Sequence, residues 1–97
     1  MRSDSSATRG KNSSADAAEQ QQRDKYQRAE ALRLRGLEAA RAVDFATAER
    51  CHSAALAMVP SHALALANRS AVYCALGEGD LAIADARQLL ALEPDDR

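Results

Sequence analysis

The sequence predicts an all-α fold: a short α-solenoid of two antiparallel helix pairs behind a disordered N-terminal tail. Three observations predict it. Ala, Leu, Arg, Glu and Gln dominate the 97 residues, whereas aromatic residues make up 3% and Trp is absent, a balance that favours helix over strand. No proline interrupts the run from Ala17 to about Ala42, so a long first helix is allowed. Two prolines, Pro60 and Pro94, lie 34 residues apart and close the segments ALAMVP and LLALEP, which share one apolar pattern.

Residues 1–15 carry Ser3, Asp4, Ser5, Ser6, Thr8, Gly10, Asn12, Ser13 and Ser14 with almost nothing to bury, and read as a disordered tail. Ser14 or Asp16 is placed to cap the first helix, because a side-chain oxygen there satisfies a free amide of its first turn. Residues 16–28 form a polar helical extension. Leu32, Gly36, Ala39, Ala40 and Val43 then recur at helical spacing. The first repeat covers 29–62 and the second 63–97. A shift of 34 residues superposes Leu32 on Leu66, Gly36 on Ser70, Ala48 on Ala82, Leu56 on Leu90 and Met58 on Leu92. Val43-Asp44-Phe45 then falls opposite Gly77-Glu78-Gly79-Asp80, with Asp44 and Asp80 expected as helix caps.

Helix, short turn, helix and closing proline at this period resemble the tetratricopeptide repeat (TPR). Gly36, Ala48, Ala55 and Pro60 carry the resemblance in the first copy, and Tyr73, Ala82 and Pro94 in the second. The physics agrees, since small residues let two helices approach closely. Leu32 and Leu66 replace the family's usual Trp, Arg35 and Arg69 a Leu, and His52 and Ala86 an aromatic residue. The resemblance implies a concave surface lined by the first helix of each pair, residues 29–42 and 63–76.

Within the second window, Ala67-Asn68-Arg69-Ser70-Ala71-Val72-Tyr73 resembles the Asn-Arg-Ser-Ala-x-Tyr segment of carboxylate-clamp TPR co-chaperones, which hold the acidic C-terminal tails of cytosolic heat-shock chaperones. That resemblance implies a peptide-binding set of Arg33, Leu37 and Asn68, with Asn68 bonding the peptide carboxylate or backbone. Arg33 stands where the family has Lys, and Leu37, one turn on, replaces an Asn and donates nothing. The remaining clamp cations belong to a third repeat. Glu30 and Glu38 are placed to neutralise nearby arginines, and Arg69 is expected to reach along its helix to an acidic neighbour.

Charge and chemistry narrow the function further. Residues 1–28 sum to +2 and residues 29–97 to −3, with no concentrated basic stripe, so neither nucleic acid nor a membrane is an expected partner. Cys51, His52, His62 and Cys74 lack metal-ligand spacing; the cysteines are expected to pack as small hydrophobes, His52 to fill an aromatic slot and His62 to cap or decorate a loop. No cofactor and no catalytic set is expected. The reading is a cytoplasmic protein-interaction adaptor, not an enzyme. Its rivals are an assembly element that self-associates through an uncovered last helix, and a fragment of a longer TPR protein whose catalytic domain lies elsewhere. The end at Asp95-Asp96-Arg97 reads as the opening of a further repeat.

Overall fold

Helix-forming residues do not end a helix by themselves; three short turns do that here and divide the chain into four. The computed structural model describes residues 2–92, with side chains from residue 15 onward. Helix α1 spans Arg2–Arg41, α2 Phe45–Met58, α3 Ala63–Ala75 and α4 Gly79–Leu92, with no strand among the described residues. The fold is therefore all-α. The helical trace begins at Arg2, ahead of the start near Ala17 that composition suggests; no proline stops it, and hydrogen bonds from residue i to i−4 need no tertiary support to continue. Residues 15–23 are exposed, and Ala29 is the first buried side chain. Pro94, the expected stop of the last helix, lies outside the described residues.

The α1–α2 and α3–α4 turns are copies of each other. Val43 and Gly77, related by the repeat step, both take left-handed backbone, with φ of 63° and 78°. The amides of Val43 and Asp44 donate to the carbonyls of Ala40 and Ala39 at 2.9 and 2.8 Å, and those of Gly77 and Glu78 to Cys74 and Tyr73 at 3.1 and 2.8 Å. This is the Schellman ending, which satisfies the last carbonyls of a helix. Asp44 caps α2 as expected, its Oδ1 accepting from the Thr47 amide at 3.2 Å. Asp80 does not cap α4. Gly79 is already helical, so Glu78 occupies the position of Asp44, its carbonyl accepting from Ala82 as that of Asp44 accepts from Ala48, both at 3.0 Å. Asp80 instead sits in the first turn, where its charge suits the helix dipole.

Between α2 and α3, Pro60 ends one helix and His62 caps the next, its Nδ1 accepting from the Ala65 amide at 3.3 Å. Helix α1 packs on α2, α2 on α3 and α3 on α4, with a lesser α1–α3 contact; among the described residues α4 packs only on α3. Neighbours joined by such short turns and packed together run antiparallel. Their crossings are lined by small residues: Ala29, Ala48, Ala55, Ala65 and Ala82 are all buried. A Cβ built on Gly36 would lie 2.6 Å from His52 Cε1, so the missing side chain is what admits that ring. At the matching place in the second pair, Ser70 Oγ donates to the Ala82 carbonyl at 3.0 Å. Leu66, only 1% exposed, is the largest fully buried aliphatic side chain among the described residues, and its burial contributes about 1.5–3 kcal/mol. No described helix is long and apolar enough to cross a membrane.

Candidate functional site

Helical spacing puts Arg33 and Leu37 one turn apart on α1, and the α1–α3 contact brings Asn68 beside them. Arg33 Nη1 donates to Asn68 Oδ1 at 2.8 Å, joining the two helices. Its Nε and Nη2 are already committed, donating to the two carboxylate oxygens of Glu30 at 2.9 and 2.6 Å. The guanidinium holds the Glu30 carboxyl down at about 2, from a usual 4.5, and Glu30 in turn raises the Arg33 pKa.

Glu30 has a second partner. His62 Nε2 lies 2.9 Å from Glu30 Oε1, and because His62 Nδ1 accepts the Ala65 amide, the proton of the neutral ring sits on Nε2 and points to the carboxylate. Tyr26 stacks on His62 with ring centroids 4.8 Å apart and planes 9° from parallel. His62 is thus buried as a helix cap, one of the two roles its sequence position suggests, and it also links α1 and α3.

Beside the Arg33–Asn68 bond lies a cavity of about 110 Å³. Leu37 and Ala40 line it from α1, Phe45 and His52 from α2, and Asn68, Ala71 and Val72 from α3. Two of the three expected peptide-binding residues therefore share one cavity, and the third bonds to one of them at its edge. Leu37 contributes apolar surface in place of a donor. With Asn68 Oδ1 occupied by Arg33, its Nδ2 has no hydrogen-bond partner among the described residues. His52 is fully buried, and neither ring nitrogen has a partner among the described residues. Burial pushes its pKa down, and the charges of Arg33 and Arg69 add to that, so the wall it forms is neutral.

Arg69 points elsewhere. It does not reach along α3 but crosses to α4, where Nε and Nη2 donate to Asp85 Oδ2 and Oδ1, both at 2.7 Å. The i+16 partner stands one helix away, and only the α3–α4 packing could bring it there. Nη1 donates to Ser53 Oγ at 3.0 Å, Ser53 donates to Glu49 Oε2 at 2.9 Å, and the Tyr73 hydroxyl donates to the same oxygen at 3.0 Å. Five residues from three helices form one network, capped by Arg69 over the Tyr73 ring at 5.5 Å. Burial first, then the Glu49 contact, raises the Tyr73 pKa. The two glutamates expected to neutralise arginines do so, Glu30 with Arg33 and, on the surface, Glu38 with Arg41 at 3.5 Å.

Both cysteines are free; Cys51 is half-buried, whereas Cys74 is exposed and does not pack as the small hydrophobe its sequence position suggests. Among the described residues no group of three or more His, Cys, Asp or Glu side chains is placed to hold a metal ion.

Sequence reasoning did not place His52 or Phe45 in the site. The signal for His52 was the resemblance itself, which implies an aromatic residue at its position, and Gly36 faces its ring. No protein-family model, curated protein or solved structure gives a significant match to the chain. The functional reading rests on these residues and their geometry.

Proposed function

We propose that the chain is a TPR-type protein-interaction module, without catalytic activity of its own, that holds a peptide segment of another protein in the groove between α1 and α3. The observation that carries this reading is the cavity on that groove, lined by Leu37 and Asn68 from the first helix of each pair. The duplicated turns at Val43 and Gly77 support the repeat assignment, because a 34-residue step that reproduces φ and hydrogen bonds reproduces the path of the chain. Chaperone-tail binding of the co-chaperone kind draws on Asn68, whose free amide donors suit a peptide carbonyl or carboxylate. Arg33 gives it little support, being matched by Glu30.

The test is selection of peptides on the immobilised chain, followed by calorimetric titration. Binding at micromolar Kd that weakens at least tenfold in Asn68→Ala or Leu37→Asp is expected. No peptide binding tighter than millimolar would remove the proposal.

A second reading, self-association through α4, is favoured by one observation. Leu81, Ile83, Leu90 and Leu92 are exposed on a helix that only α3 covers, Leu90 by 68%, whereas its repeat partner Leu56 is buried under α3.

A further inference from the structure

We infer that the cavity between α1, α2 and α3 accepts an uncharged aliphatic side chain of a bound peptide and selects against an acidic one; this rests on the peptide-binding reading above. Three observations on different residues carry it.

Charge is the first. A carboxylate clamp needs cations with donors to spare, and both arginines near the groove are matched internally: Arg33 by a two-bond contact with Glu30, Arg69 by a two-bond contact with Asp85. An incoming carboxylate would have to displace Glu30, which would keep only His62, or Asp85, which would be left unpaired in a buried place, so the exchange gains nothing. Glu30 and Asp85 act instead as resident competitors for the arginines.

Lining and size are the second. Leu37, Ala40, Phe45, Ala71 and Val72 give the cavity an apolar wall. Its volume of about 110 Å³ is below the ~150 Å³ of an apolar cavity that takes benzene, which favours a branched aliphatic side chain over an aromatic ring. Ala71, at its edge, is exposed, so a side chain can enter from solvent.

The third is unmet hydrogen bonding. His52 brings to the wall a fully buried ring with two unpartnered nitrogens, and Asn68 brings an Nδ2 without a partner among the described residues. A peptide that seats its side chain here carries a carbonyl that can accept from Asn68 Nδ2, whereas a bare hydrocarbon cannot; the His52 nitrogens, sealed against Gly36, stay out of its reach.

The experiment is a titration of the full chain, followed by amide and imidazole nuclear magnetic resonance, with three small probes: N-acetyl-leucine N-methylamide, N-acetyl-aspartate N-methylamide and N-acetyl-phenylalanine N-methylamide. The leucine probe should shift the Leu37, Asn68 and Ala71 amides and the His52 ring, at a concentration at least tenfold below that needed for the other two. Ala71→Leu, which fills the entrance with a strong helix former, should abolish the response while leaving the helical circular-dichroism signal intact. An aspartate probe that shifts these residues as strongly as leucine overturns the charge selectivity, and a phenylalanine probe that does so overturns the size selectivity. If the leucine probe shifts none of them while a selected peptide still binds the chain, the side-chain pocket is refuted and the groove reading survives. If no peptide binds either, both are refuted.

Discussion

Val43 is a β-branched residue at φ 63°, 70% exposed, in a place where the second copy of the repeat has Gly77. Left-handed backbone costs an L-residue about 1–2 kcal/mol, and a valine gains nothing here from burial. Val43→Gly should therefore raise the stability by about 1 kcal/mol after the entropic cost of glycine, read as a higher urea midpoint with unchanged slope. His52 makes a different kind of prediction. Its unfolded imidazole titrates near 6.5, and burial lowers the folded value, so the unfolded chain binds more protons below that pH. Stability should fall as pH drops below about 6.5, until the folded value is passed. His52→Leu should flatten that part of the profile and melt higher than the parent at pH 5. Glu30 acts in a separate window: its folded value of about 2 lies below the usual 4.5, so its contribution is complete above 4.5 and is lost between 4.5 and 2.

At the scale of elements, the crossings decide. Gly36 on α1 faces the His52 ring on α2, and an added Cβ would sit 2.6 to 2.9 Å from three ring atoms. Gly36→Ala should destabilise by about 1–3 kcal/mol despite the better helix propensity of alanine, and much of that loss should vanish in the double mutant with His52→Ala. Thermal melts of the four variants close that cycle. The α3–α4 pair is held by Arg69 and Asp85, the latter 3% exposed. Removing one partner of such a pair leaves a buried group uncompensated, so Asp85→Ala should cost about 3 kcal/mol, the low end of the range because Arg69 keeps some exposure. Detachment of α4 in that variant would appear as faster amide exchange across Gly79–Leu92 than across α2.

For the whole molecule, the contacts of α1 on α2, α2 on α3 and α3 on α4, with a lesser one of α1 on α3, tie each helix mainly to its neighbours, and the outermost helix α4 has the fewest. The exposed Leu90 and Leu92 make α4 the place where two copies would meet. If they do, sedimentation velocity should show a concentration-dependent dimer that Leu90→Lys reduces at unchanged helix content. A single monomeric boundary at high concentration would remove the self-association reading.

Much of this arrangement is legible in the sequence because it follows from periodicity. The 34-residue step, the small residues at Gly36, Ala48 and Ala82, and the proline after α2 depend only on local spacing, and they yield an all-helical chain with turns in register. The Asp44 cap and the Glu30–Arg33 pair are local too, each within one helical turn. What required the folded molecule was every contact between residues far apart in sequence. Arg69 could be given an acidic partner from the sequence, but not Asp85 on the next helix. Arg33 pairs with Glu30 by local spacing, but only the folded molecule shows its remaining donor reaching Asn68 on α3. The cavity exists because three helices leave a gap between them, and no single helix encodes a gap. A one-dimensional pattern fixes which residues share a face; which faces meet, and what stays unfilled between them, is set by side-chain volumes packing in three dimensions.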